Sequence, residues 1–316
     1  MKWLLSFFSL IVVFFSWAQN DITYSHYLLN PVYYNPAFVG KANVSNAVLQ
    51  FRSQWTGYRP SFDNTGGAPL TQTLTAVIPM EGKFSAFGIQ TTNDRLGPVN
   101  NMMVGVPLSY SINLKGAELT IGANPTMYSQ VLNFNYLRFV NPSDPFNIGR
   151  RESQILFNIS AGAVLSNRNG LTVGVSALNI NQPRFDYGLD SLSSQLRRTY
   201  SLLTSYEVTL GRNVQLVPNL HLRTDASTFT FDLGTIVNYK RRGWVGLAYR
   251  YAESVSFLVG YSMLAENKLQ VGFALDYVVD EQQAKQPTSQ ELYIRYNLPN
   301  LVIGGRKQVK TPRFAY

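Results

Sequence analysis

A chain of 316 residues with only 14% Asp, Glu, Lys and Arg but 13% aromatics, 19 Tyr and 19 Phe among them, is poorer in charge than a soluble domain, so aromatic groups must cover much of its outside or fill a large core. It has no Cys, which excludes a disulfide framework, a thiolate metal site, a cysteine nucleophile and a lipidated N-terminal Cys, and two histidines, His26 and His221, are too few for a His-based metal centre. The net charge of +9 clusters only at Lys240-Arg241-Arg242 and at Arg306, Lys307, Lys310 and Arg313, and in an exported chain this predicts no nucleic-acid partner.

The chain opens on a secretory signal over residues 1–18. Lys2 supplies the positive end, Trp3 to Trp17 the apolar core and Ser16-Trp17-Ala18 a small-x-small cleavage site, so the mature chain starts near Gln19. At about 15 residues this core is shorter than the roughly 20 a spanning helix needs. No later stretch approaches ~18 consecutive apolar residues, so a membrane protein made from this chain has to be a β-barrel.

Residues 19–44 have neither a strand nor a helix pattern. Within them Tyr27 to Gly40 reads YLLNPVYYNPAFVG and contains Asn-Pro twice, at Asn30-Pro31 and Asn35-Pro36. Proline fixes its own φ and pushes the preceding residue out of the helical region, which imposes a bent, defined path on an aromatic-rich segment. Such a stretch is built to dock. With strands beginning only at about Ser45, it is predicted to begin on the periplasmic side, with Tyr27, Tyr33, Tyr34 and Phe38 packing inside the barrel lumen or across its periplasmic mouth.

From Ser45 the chain alternates with period two. Ala47, Leu49 and Phe51 share one face against Gln50, Arg52 and Gln54, and Val104, Val106, Leu108, Tyr110, Ile112 and Leu114 share one against Gly105, Ser109, Ser111 and Asn113. Fourteen such runs occupy 45–297. They start near Ser45, Leu70, Phe84, Val104, Glu118, Gln154, Leu171, Arg198, Val214, Thr228, Trp244, Val255, Lys268 and Gln290. Connections after even-numbered runs are short and turn-like, whereas those after odd-numbered runs are often long, as at 56–69, 133–153, 181–196 and 280–289. One-sided loops on an even number of strands predict an all-β fold: a transmembrane antiparallel up-and-down β-barrel of the bacterial outer membrane, with both chain ends in the periplasm. A secreted β-sandwich alternates too, but its strands run about 5–6 residues and several runs here are far longer. Pro79, Pro107, Pro125 and Pro218 fall inside predicted strands, where bulges or kinks are expected. Tyr110, Trp244, Tyr249, Tyr251, Tyr261 and Tyr277 suit interfacial girdles. Residues 298–316 are a basic periplasmic tail.

Catalytic signals are weak. No Gly-x-Ser-x-Gly occurs, His221 falls on the polar face of its strand, and Glu118, Glu207, Asp232, Asp276 and Glu291 are scattered over different strands, where carboxylates paired with Arg or Lys across a lumen serve packing. No cofactor and no metal are expected.

Two stretches carry a family likeness. Gln19 to Gly40, with Ser25, Tyr27, Asn30-Pro31, Asn35-Pro36-Ala37 and Gly40, followed by Arg52-x-Gln54-Trp55, resembles the start of the PorP/SprF family of the type IX secretion system. Ala68-Pro69, Asp94 with Gly97-Pro98, and Thr311-Pro312-Arg313-Phe314 are also similar to that family's pattern. The resemblance implies a non-enzymatic outer-membrane protein of a gliding or secreting bacterium of the Bacteroidetes type. It would partner a particular secreted surface protein, such as an adhesin with a type B C-terminal domain, and contact the periplasmic ring lipoprotein and motor components. The candidate site residues are the docking or plug motif Tyr27, Asn30, Pro31, Tyr33, Tyr34, Asn35, Pro36, Phe38 and Gly40, the barrel-start motif Arg52, Gln54 and Trp55, and, from charge alone, Arg306, Lys307, Lys310 and Arg313 for periplasmic partners. The alternative is an outer-membrane channel for hydrophobic small molecules, since fourteen strands with an N-terminal plug also describe fatty-acid channels. A barrel hydrolase resting on His221 ranks third.

Overall fold

The computed structural model describes residues 22–58, 67–81, 84–137, 140–141, 151–186, 194–280 and 285–298. Fourteen antiparallel strands pair in chain order and close on themselves. They are β1 (Asn46–Ser53), β2 (Leu70–Pro79), β3 (Ala86–Leu96), β4 in two segments (Val99–Gly105 and Leu108–Leu114), β5 (Ala117–Asn133), β6 (Arg151–Asn167) and β7 (Leu171–Leu178). Then come β8 in two segments (Thr199–Tyr206 and Val208–Leu210), β9 (Val214–Thr224), β10 (Phe229–Tyr239), β11 (Gly243–Arg250), β12 (Ser254–Met263), β13 (Leu269–Val278) and β14 (Thr288–Asn297). Closure is direct: β1 pairs β14 from Asn46↔Asn297 to Ser53↔Gln290, leaving no free sheet edge.

The two faces are inverted relative to a water-soluble protein. Leu49, Phe51, Leu108, Ile112, Leu247, Phe257, Val259 and Phe273 are exposed on the outside, while Gln50, Arg52, Thr73, Gln90, Asn158, His221, Asp232, Arg250, Asp276 and Glu291 are buried within. A sandwich buries its apolar face; a membrane barrel gives it to lipid. Tyr110, Tyr249, Tyr251, Tyr261 and Tyr277 are exposed as girdle residues should be. Trp244 is not. The register puts Val245 and Leu247 outward and therefore Trp244 inward, where it is buried over Gly260 and Gly272, each close enough to the indole that a Cβ would collide with it.

The prolines interrupt the ladder without bulging it. On β4, Gly105↔Thr126 and Leu108↔Ala123 keep one register across the gap at Val106 and Pro107. Each residue there retains one bond of the usual two: Val106 N donates to Pro125 O (3.1 Å) and Gly88 N to Pro107 O (2.8 Å). Pro107 and Pro125 thus lose bonds to different neighbours, so neither strand slips. Pro218 lies opposite the break in β8, flanked by Ser205↔Asn219 and Val208↔Leu216 in one register. Pro79 is simply the last residue of β2.

Connections of even-numbered strands gather at one end and the longer ones at the other. The chain preceding β1 runs inside the barrel, and the core sits in two clusters around it.

Candidate functional site

Residues 22–45 cross the lumen as two short 3-10 turns, Pro31–Tyr33 and Pro36–Lys41, each begun by an Asn-Pro pair. The prolines set the turns and the asparagines hold the wall. Asn30 Nδ2 donates to Gln50 Oε1 (2.7 Å) and Thr75 Oγ1 (3.3 Å). Asn35 caps its own turn through Ala37 N (3.0 Å) and donates from Nδ2 to Val175 O (3.0 Å) and Ala163 O (3.2 Å). Asn35 thus bonds wall carbonyls on two paired strands and Asn30 bonds wall side chains, so both buried amides find partners on the barrel interior.

The wall is thinned to receive this segment. A Cβ on Gly122 would lie 2.5 Å from Ala37 N, one on Gly174 2.9 Å from the Phe38 ring and one on Gly88 3.2 Å from Val39; one on Gly162 would overlap the Asn35 side chain. In return, Gly40 approaches β4 and β5 so closely that its own Cβ would stand 2.6 Å from Ser109 Oγ. These inward glycines are seat positions for the segment that sequence reasoning missed. Their signal was available: glycines at polar-face positions of long strands, where no turn calls for them.

At its start the segment meets a buried charge network. Ser25 N and His26 N donate to the two oxygens of Glu291 (2.7 and 3.1 Å), and His26 Nδ1 stands 2.7 Å from Oε1. Arg52 pairs with Asp276 (2.6 Å) and Glu291 (3.4 Å), and Ser25 Oγ donates to Asp276 (2.6 Å). Beside these, Asp232 is shared by Arg250 (2.6 Å) and Arg223 (2.8 Å), and Arg250 donates to Tyr24 O (3.2 Å). Three buried arginines face three buried carboxylates, so the charge within this network is matched.

All six groups lie toward the long-loop ends of their strands. Ile22 to Tyr27 therefore sits in the long-loop half of the barrel, and only Phe38 to Ser45 descends to the short-turn end, where Lys41 pairs with Glu118 (3.1 Å). Residues up to Asp21 lie outside the described residues, but from Ile22 the segment is not on the short-turn side that the chain order suggested, since the donors of Ser25 and His26 have their acceptors at the other end.

The motif aromatics close around His221. Tyr27 and Tyr34 pack on its ring with centroids 5.3 and 4.5 Å away, Tyr33 packs edge-on against Tyr24 and Tyr34, and the Tyr27 hydroxyl bonds Asn219. Ser201 Oγ is 2.8 Å from His221 Nε2, but Asp232 stays 3.9 Å from Nδ1 and is engaged by two arginines. A serine-histidine-carboxylate relay needs that second hydrogen bond, so the arrangement reads as packing rather than as a catalytic triad.

Of the barrel-start motif, Arg52 belongs to the charge network, while Gln54 and Trp55 form the turn after β1. Gln54 N bonds Pro69 O (2.9 Å), and Trp55, at φ 51°, donates its N–H to Ser289 Oγ (2.9 Å). Arg306, Lys307, Lys310 and Arg313 lie outside the described residues. No group of acidic or histidine side chains suited to a metal occurs among the described residues.

Above Tyr33 and Tyr34, a cavity of about 70 Å³ opens on the long-loop side, lined by residues of β3 to β9.

A sequence pattern describing the type IX secretion system membrane proteins PorP/SprF matches residues 16–296. The chain belongs to the PorP/SprF family. That match spans the lumen segment, the barrel-start motif and nearly all of the barrel. Among solved structures, the toluene transporter TbuX of Ralstonia pickettii is similar at 11% identity over 84% of this chain and 92% of its own, TM-score 0.52. The monoaromatic hydrocarbon channel CymD is similar at 11% identity over 88% and 94%, TM-score 0.50. At such identity the likeness shows the outer-membrane barrel fold and nothing finer. No curated protein sequence matches. A PorP/SprF barrel thus works in the outer membrane among the components and cargo of type IX secretion.

Proposed function

We propose that this PorP/SprF barrel is a non-enzymatic adapter that binds one secreted surface protein through its C-terminal domain and helps its export or retention at the cell surface. The observation that supports this reading most is the filled lumen: the segment at 22–45 is tied to β1, β2, β5, β6, β7, β9, β11, β13 and β14 by side-chain bonds or close packing. A channel for hydrophobic molecules needs a continuous apolar path, whereas a plugged barrel offers a rigid rim on which loops hold a macromolecule. In this reading the motif Tyr27 to Gly40 is the plug, Arg52 is its anchor, the long loops grip cargo, and the basic tail Arg306, Lys307, Lys310 and Arg313 faces the periplasmic ring lipoprotein and motor components.

The experiment is affinity purification of the tagged protein from native outer membrane, paired with surface proteomics of a deletion strain. An adapter co-purifies a secreted protein whose display is lost in the deletion; uptake of monoaromatic hydrocarbons lost in that strain, with display intact, supports the channel instead. For the tail, neutralising all four basic residues should weaken pull-down of periplasmic components, and undiminished recovery would remove that assignment.

A further inference from the structure

We propose that the cavity above Tyr33 and Tyr34 is a binding site for the carboxyl-terminal residue of a polypeptide. The identity of the chain as cargo rests on the adapter reading; the site itself rests on three observations.

The first is charge. Among the described residues Arg223 is the single charged side chain on the cavity wall, no carboxylate lines it, and Arg223 Nε and Nη1 have no hydrogen-bond partner although the residue is only 4% exposed. Asp232 holds one end of this guanidinium through Nη2, and Tyr34 supports its face at 5.9 Å, leaving donors for an anion. The second is a matched amide pair on the opposite wall. Asn124 Nδ2 donates to Gln90 Oε1 (3.0 Å), which fixes both amides and leaves Gln90 Nε2 as a donor and Asn124 Oδ1 as an acceptor, both buried and without a partner among the described residues. One buried donor beside one buried acceptor is the complement of a peptide unit, and each costs stability while it is unmade. The third is size. A cavity of about 70 Å³ exceeds several-fold the ~10–15 Å³ that a single water needs, which leaves room for one small residue. Tyr33, Met103 and Leu196 supply apolar contact for its side chain.

A terminal residue presents what this wall lacks: a carboxylate for Arg223 and a preceding peptide N–H and C=O for Asn124 and Gln90. An internal segment has no carboxylate to offer there.

The test uses purified full-length protein in detergent and two dansyl-labelled tetra-alanine peptides, one with a free carboxylate and one with a terminal amide, read by fluorescence anisotropy. The acid should bind about tenfold or more tighter than the amide, the size of one charge-assisted contact. Arg223→Gln should erase that difference, and Gln90→Leu, which leaves the Arg223–Asp232 pair intact, should weaken both peptides. Equal binding of acid and amide by the wild type, no binding of either, or unchanged binding by Gln90→Leu overturns the site. Cargo recovery from native membrane is scored separately, so an adapter that captures cargo but ignores the carboxylate refutes this inference alone.

Discussion

Glu291→Gln is the most searching single change, because the side chain keeps its shape and loses only charge and one acceptor. In the native protein Glu291 accepts from Ser25 N, His26 N, His26 Nδ1 and Gln50 Nε2, and pairs with Arg52. Ser25 N uses one carboxylate oxygen and His26 N the other, so a glutamine must turn its NH2 toward at least one backbone N–H. A buried donor left unsatisfied costs about 1–3 kcal/mol. Arg52 is then left with Asp276 alone, and removal of one partner from a buried ion pair raises the total to about 3–5 kcal/mol. This loss falls on the docking of the lumen segment, since the β14 ladder to β1 and β13 is made by backbone groups. The barrel should therefore stay closed, judged by heat-modifiable migration, while the segment opens about 100- to 4000-fold more often, at ~1.4 kcal/mol per decade. Chymotrypsin cleavage among Tyr24, Tyr27, Tyr33 and Tyr34 in the detergent-solubilised protein reads that opening. Cleavage as slow as in the wild type would refute the assignment of Glu291 as the anchor, and so would collapse of the barrel itself.

Gly122→Val should displace the second turn of the segment, because its Cβ meets the backbone of Pro36 and Ala37 at 2.5 to 2.7 Å rather than a movable side-chain end; overpacking of about 1–3 kcal/mol should appear as faster chymotrypsin cleavage with barrel migration unchanged. Gly40→Cys with Ser109→Cys, in a chain that has no cysteine, brings two Cβ atoms to about 3.2 Å, close to the ~3.5–4.5 Å of a disulfide. Oxidation should protect both thiols from maleimide labelling in intact outer membrane, and if secretion persists with the bond closed, the segment does not leave its seat during function. Pro36→Ala should cost about 0.4–1 kcal/mol through the freedom it returns to the undocked segment, seen as a small rise in the same cleavage rate. His221→Gln should leave export unchanged, whereas loss of a hydrolytic activity in that variant would revive the enzyme reading.

The sequence by itself determined the barrel. Alternation with period two is a local property: once Leu49 and Phe51 face lipid, Gln50 and Arg52 must face inward, and fourteen such runs with one-sided loops allow closure with both ends on one side. The Asn-Pro pairs likewise announced a bent docking segment from two dipeptides alone. What only the tertiary structure decided is which groups meet across the lumen. Ser25 and Asp276 are 251 residues apart, and nothing in either neighbourhood names the other. The contact of the inward Trp244 with Gly260 and Gly272, the ladder shared unevenly around Pro107 and Pro125, and the start of the segment in the long-loop half follow from the same cause. Each depends on where closing the sheet brings distant inward positions together, and period two specifies the face of a residue but not its neighbour across the barrel.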